Sequence, residues 1–174
     1  MIRTQINNDK GTRGSRAGFT LVELLVVIAI IGLLANIVLV SLASARLKSR
    51  TTKRITDLRQ LATALELYNI AYGGYPNSGG NWDLIPCTTG WPYGDQTNDW
   101  IPGLSPEFIS QLPQDPRNNT VCAEQYKYRS DGTDYKLIAR PEQCSVVKSK
   151  YPNLIDPMRD CWAFGFWTSG AEGW

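Results

Sequence analysis

Residues 16–40 read RAGFTLVELLVVIAIIGLLANIVLV. From Leu21 to Leu42 the apolar run is interrupted only by Glu23, Gly32, Asn36 and Ser41. At about 1.5 Å per residue, a helix over this run is roughly 33 Å long, enough to cross the hydrocarbon core of a bilayer. A helix also satisfies its own backbone hydrogen bonds there. One carboxylate, Glu23, stands near the start. In a first helical turn it complements the positive end of the helix dipole, whereas an ionisable group inside a membrane is usually paired and functional. The segment does not read as an ordinary secretory signal. Its small-residue pair, Ala17-Gly18, precedes the apolar run instead of following it.

Charge divides the 174-residue chain unevenly. The whole carries 18 Lys and Arg against 16 Asp and Glu, a net charge of +2, which gives no sign of a nucleic-acid partner. Residues 1–18 hold Arg3, Lys10, Arg13 and Arg16 against Asp9 alone, so the formal basicity belongs to that first segment. There is no histidine. This excludes Ser-His and Cys-His nucleophile pairs and His-ligated metals. Carboxylates such as Asp95, Asp99 and Asp115 could in principle serve an enzyme, but no spacing supports that reading, and the commonest general base is missing.

The helix is expected to continue past the apolar run. Residues 43–72 contain neither Gly nor Pro, and Ile55, Leu58, Leu61, Ala62, Leu65, Tyr68 and Tyr72 recur at three- and four-residue spacing, one apolar stripe. Arg46, Lys48, Arg50, Lys53, Arg54 and Arg59 face elsewhere and read as a solvated face. Gly73-Gly74-Tyr75-Pro76 supplies the stop, so one helix runs from about Phe19 to Tyr72. Residues 75–120 are rich in Pro, Gly, Asn and Asp, with a short helix expected over 105–111. Tyr126–Arg129, the turn Ser130-Asp131-Gly132-Thr133 and the alternation of Tyr135, Leu137 and Ala139 with Lys136, Ile138 and Arg140 read as a β-hairpin. Trp162–Trp167 reads as a further strand with Trp162, Phe164 and Phe166 on one face. The tryptophans Trp82, Trp91 and Trp100 read as loop packing, and Asn118-Asn119-Thr120 fits a glycosylation triplet. The fold class is therefore α+β: a long N-terminal α-helix, membrane-spanning and then amphipathic, packed on a small antiparallel β-sheet head.

The four cysteines, Cys87, Cys122, Cys144 and Cys161, all lie in the C-terminal half and form no C-x-x-C pair. An even count beyond a membrane segment reads as two disulfides in an oxidising compartment. Three pairings remain open, and four buried free thiols are the alternative.

Gly18-Phe19-Thr20-Leu21-Val22-Glu23 before a long apolar helix resembles the N-terminus of type IV prepilins and type II secretion pseudopilins. Tyr72-Gly73-Gly74-Tyr75-Pro76, Leu112-Pro113-Gln114-Asp115-Pro116 and the Tyr126–Ala139 hairpin are similar to segments of major-pseudopilin heads. The resemblance implies a cleaved leader (1–18), a transmembrane helix (19–42), its amphipathic continuation (43–72) and a loop-rich head (73–174). It implies cleavage between Gly18 and Phe19 by a prepilin peptidase that also methylates the new Phe19 amine. It implies assembly through Glu23, which meets the amine of a neighbouring subunit staggered by about one turn. The partners so implied are further copies or related pilins, the peptidase/methyltransferase, an inner-membrane assembly platform and membrane lipid. The head would lie outside the cytoplasm, although the basic cluster after the apolar run outnumbers the leader's charges on the positive-inside count.

Two departures stand out. Val40 occupies a position where these families often carry a helix-breaking proline, and Arg140-Pro141-Glu142-Gln143-Cys144 stands where an acidic, glycine-rich calcium loop is common. No cofactor is expected. Asp131 and Asp134 are weak calcium candidates; their position in the Asp-Gly turn accounts for them better. The head motifs favour a secretion pseudopilus; the absent calcium loop and the C-terminal cysteines favour a pilus. The alternative class is a membrane-anchored periplasmic binding or adhesion domain that does not polymerise.

Overall fold

A computed structural model describes residues 18–79, 83–84, 99–117 and 124–174. The leader up to Ala17, the cysteines Cys87 and Cys122, Trp82 and Trp91, Asp95, and the triplet Asn118-Asn119-Thr120 lie outside the described residues, as does the side chain of Val40. The element order is α1 (Leu21–Tyr72), β1 (Asp83–Leu84), β2 (Lys127–Ser130), β3 (Tyr135–Ala139), α2 (Cys144–Lys150), β4 (Ile155–Asp156) and β5 (Asp160–Trp167), with 3-10 turns at Pro152–Leu154 and Ser169–Ala171. The strands form one antiparallel sheet in the order β1-β2-β3-β5-β4. The fold is α+β, as expected. The chain divides into two units, one ending at Leu42 and one beginning at Ala43.

In the first unit, α1 buries none of its described side chains among the described residues. Every side chain described from Gly18 to Leu42 is exposed, with Phe19 at 89%. Such a surface is stable only against lipid or other apolar helices. The segment is long and apolar enough to cross a membrane.

The second unit holds the core. Ile55, Leu58, Leu61, Ala64 and Leu65 of α1 pack with Tyr126, Tyr128, Tyr135, Leu137, Ala139 and Phe164 from the sheet side. Burying each large aliphatic side chain contributes on the order of 2 kcal/mol. Trp100, Ile101, Leu104 and Leu112 join from the loop region. The stripe read from the sequence thus forms the contact, except that Ala62 and Tyr68 are only half-buried and Tyr72 is exposed. α1 stops where glycine permits: Gly73 has φ 76°, and its N–H returns to the Asn69 carbonyl at 2.8 Å. The next residues are sewn to the hairpin, with the Tyr75 N–H on Gly132 O at 2.8 Å and the Tyr128 hydroxyl donating to Pro76 O at 2.7 Å.

Several local expectations need correction. Residues 102–108 form turns, not a helix. The N–H groups of Phe108 and Ile109 both return to the Leu104 carbonyl at 3.1 and 3.3 Å, and Pro106 has no N–H to extend the ladder. The sheet is covered on both faces, so all of β3 is buried instead of alternating. Lys136 is fully buried; its Nζ donates to Asp156 Oδ1 at 3.1 Å and to the main-chain oxygens of Glu172 and Trp174 at 2.9 and 3.0 Å. Burial pushes the Lys136 ammonium down, with Asp156 opposing. Arg159 donates to Asp156 Oδ2 at 3.0 Å and also to the Trp174 main-chain oxygen. Trp162 leaves the face of Phe164 and Phe166. The β4–β5 register shifts at Ile155/Asp156, and Trp162 is 42% exposed beneath the Lys127 ammonium, 4.4 Å from the ring centroid. β5 approaches β3 so closely that a Cβ at Gly165 would stand 1.9 Å from the Leu137 carbonyl oxygen.

The basic face of α1 is the largest correction. Arg54 is 1% exposed. Its guanidinium grips Asp115 at 2.6 and 2.8 Å and reaches Glu142 at 2.7 Å. Arg50 holds the same Glu142 at 2.8 and 2.6 Å. Lys53 pairs with Asp57, which also accepts the Tyr126 hydroxyl at 2.8 Å. Arg54 is an internal strut and Arg50 a half-buried one, whereas Lys53, Arg46, Lys48 and Arg59 are exposed as expected.

Candidate processing and assembly site

The helix begins with a reciprocal cap. Thr20 precedes the first helical residue, Leu21, and Glu23 lies three positions on. The Thr20 hydroxyl accepts the Glu23 N–H at 3.2 Å, and Glu23 Oε2 accepts both the Thr20 N–H and the Thr20 hydroxyl at 2.9 Å. This is a capping box, and it satisfies donors that a helix start leaves orphaned. The sequence signal, Thr-x-x-Glu, was present in Thr20-Leu21-Val22-Glu23, but the apolar run draws attention to length and hydropathy first. Among the described residues Oε1 of Glu23 has no partner, so the carboxylate keeps a lone-pair side for a cation.

Gly18 and Phe19 lie outside the helix and are exposed. A Cβ built on Gly18 meets nothing within 4 Å. The chain's own packing therefore does not require glycine at that position.

The remaining candidates fall in the head. Cys144 and Cys161 are disulfide-bonded, with Cα atoms 5.1 Å apart, tying the start of α2 to β5. The free-thiol alternative is thus wrong for these two. Asp131 Oδ1 accepts the N–H groups of Thr133 and Asp134 at 2.8 and 2.9 Å, which draws its carboxyl below the usual range. That is the geometry of an Asx turn closing the β2–β3 hairpin. Asp134 lies against Gly170, where a Cβ would come within 2.1 Å of its Oδ2. Among the described residues no group of three His, Cys, Asp or Glu side chains is placed to hold a metal. Asp115, one of the carboxylates weighed for catalysis, is committed to Arg54.

Residues 13–35, which span Gly18, Phe19 and Glu23, match the prokaryotic N-terminal methylation motif. The chain is 30% identical to type II secretion system core protein G of Pseudomonas aeruginosa over 70% of its own length and 78% of the relative's. It is 30% identical to the protein of the same name from Klebsiella pneumoniae over 89% and 96% of the two chains. The chain belongs to the type II secretion system core protein G family of pseudopilins. The match to the Escherichia coli member is 34% identical over 59% of this chain and 67% of that one. No solved structure is a significant match. Membership of this family settles the choice between pilus and pseudopilus and bears out the expectation of a structural subunit. The chain is on the pseudopilin side of the pilin-like proteins, and it belongs with structural subunits, not enzymes. A membrane-anchored chain with one apolar helix is what both the family and the bare first unit of α1 support.

Proposed function

We propose that the chain is a structural subunit of a type II secretion pseudopilus. Its leader is cut between Gly18 and Phe19, the new Phe19 amine is methylated, and the mature subunit polymerises through its N-terminal helix. The observation that carries this reading is the methylation motif seated at the start of a helix whose described apolar side chains up to Leu42 are all exposed. An unburied run of this length needs lipid before assembly, and helices of neighbouring subunits offer an equivalent apolar surface afterwards.

Glu23 joins cleavage to assembly. A charge in the bilayer interior costs on the order of 3 kcal/mol unless paired. The capping box meets part of that demand within the subunit, through Thr20. The Phe19 amine, which exists only after cleavage, supplies a cation. Between subunits offset by about one turn, a neighbour's amine can reach Glu23 Oε1, which neutralises the charge and fixes the stagger. A glycine at position 18 suits an enzyme that accepts little bulk before the cut, since among the described residues a Cβ there would meet nothing within 4 Å. Prepilin peptidase, an inner-membrane assembly platform and other pseudopilins are the partners in this reading. The head faces the periplasm, the compartment in which a Cys144–Cys161 bond persists.

The test is Glu23→Gln expressed with the secretion machinery. The expected result is normal cleavage at Phe19 with filament assembly reduced at least tenfold, a loss of about 1.4 kcal/mol or more in subunit docking. Assembly at the wild-type rate would remove the pairing role.

A further inference from the structure

Between Glu23 and Asp57 the chain has no acidic residue, and its basic residues there, Arg46, Lys48, Arg50, Lys53 and Arg54, all follow the apolar run. The last three are answered within the second unit. Arg50 and Arg54 hold Glu142, Arg54 also holds Asp115, and Lys53 pairs with Asp57 one turn on. Arg46 and Lys48 are exposed, and among the described residues no carboxylate pairs with either. This stretch of α1 therefore carries two uncompensated positive charges. They stand four and six positions after Leu42 on the same continuous helix. Only the small residues Ala43, Ser44 and Ala45 separate Leu42 from Arg46. Helical side chains lean toward the N-terminus of their helix, so both cations are directed back toward the apolar run on long flexible stems. A turn of about 100° per residue sets them roughly 200° apart. They lie on opposite sides of the helix, and each can meet a partner of its own.

We infer that Arg46 and Lys48 dock the headgroups of anionic phospholipids where the apolar run meets water. The run up to Leu42 is exposed and long enough to cross a bilayer, and a helix leaving the hydrocarbon passes next through the layer of headgroup phosphates. Cations just beyond a membrane-crossing segment attract anionic lipid, and the attraction fades within a Debye length of about 10 Å. At about 1.5 Å per residue, Arg46 and Lys48 stand about 6 and 9 Å along the helix from Leu42, inside that range. Arg59, also exposed, stands roughly 25 Å along, outside it. A zwitterionic lipid carries its own ammonium beside the phosphate, so a lipid with net negative charge is the better partner for both side chains. The inference rests on membrane anchoring of the first unit and not on polymerisation.

The test places the full chain in nanodiscs holding equal amounts of phosphatidylglycerol and phosphatidylcholine, and counts the lipids it retains by native mass spectrometry. Phosphatidylglycerol should be retained over phosphatidylcholine by about fivefold at each of the two cations. Arg46→Gln and Lys48→Gln should each remove one preferred lipid, and the double variant should retain both lipids alike. Arg46→Lys should keep the preference. Arg59→Gln, the same loss of charge farther from the run, should change nothing. Among the described residues Arg46 and Lys48 hold no part of the head, so their variants are expected to melt like the wild type. Equal retention of the two lipids by the wild type overturns the inference, as does an undiminished preference in the double variant. A loss from Arg59→Gln as large as that from Arg46→Gln also overturns it, because net charge alone would then set the preference. If the double variant changes self-association and leaves lipid retention unchanged, the two cations face an acidic surface of another copy and the lipid assignment is wrong. A chain that never enters the nanodiscs refutes the membrane anchoring beneath the inference, and the empty discs tell that failure from the others.

Discussion

Replacing Arg54 with methionine removes one guanidinium and leaves two carboxylates behind, in unequal positions. Glu142 keeps Arg50 at 2.6 Å. Asp115, whose side chain has no exposed surface, keeps among the described residues the backbone N–H of Arg117 at 2.9 Å. Most of the loss therefore comes from a buried, uncompensated Asp115. Breaking a buried pair from one side costs about 3–5 kcal/mol, a large part of the roughly 5–15 kcal/mol that holds a typical domain. The assay is urea unfolding of the full chain in detergent, followed by tryptophan fluorescence, since Trp100 is 2% exposed in the core. The double variant Arg54→Met/Asp115→Leu removes both charges and should return to within about 1 kcal/mol of the wild type, because apolar pairs of similar volume replace buried ion pairs well. A single variant that loses less than about 1 kcal/mol refutes the reasoning. So does a double variant as unstable as the two single losses added together.

The other expectations concern the same head. Burial opposes the charge on Glu142, but Arg50 and Arg54 overcome it and hold its carboxyl at about 2, below the ordinary 4.5. The folded chain thus binds this proton less readily than the unfolded chain, so stability present above about pH 4.5 is lost as pH falls toward 2, on the order of 3 kcal/mol in all. Acid titration of stability in wild type and Glu142→Gln should show that slope only in the wild type. The Cys144–Cys161 bond closes a separation of 17 residues, so the double Cys→Ser variant should lose about 3 kcal/mol in the same urea assay.

What the sequence made legible was what depends on near neighbours along the chain. The apolar run, the stripe Ile55–Leu58–Leu61–Leu65, the glycine stop and the Asp131-Gly132 hairpin are each written within a few residues, and each formed. Arg54 was unreadable because its partners lie 61 and 88 positions away. At helical spacing a basic residue beside Lys53 looks like one more solvated charge. Lys136 misled for the same reason: alternation places it outward, and its acceptors come from Asp156 and from Glu172 and Trp174, 20 to 38 positions away. The helix expected at 105–111 rested on a start signal alone, with no ladder of donors behind it. At the N-terminus the Thr20–Glu23 box was readable in four letters, and the cleavage role proposed for Gly18 came from the same short stretch.

The most direct measurement is the intact mass and N-terminal sequence of the chain purified from membranes that carry its processing enzymes. The expected product begins at Phe19 and bears one added methyl on its amine, with the residues up to Gly18 gone. A chain that still begins at Met1, or one cut elsewhere and left unmethylated, would contradict the assignment of Gly18, Phe19 and Glu23 to processing and assembly.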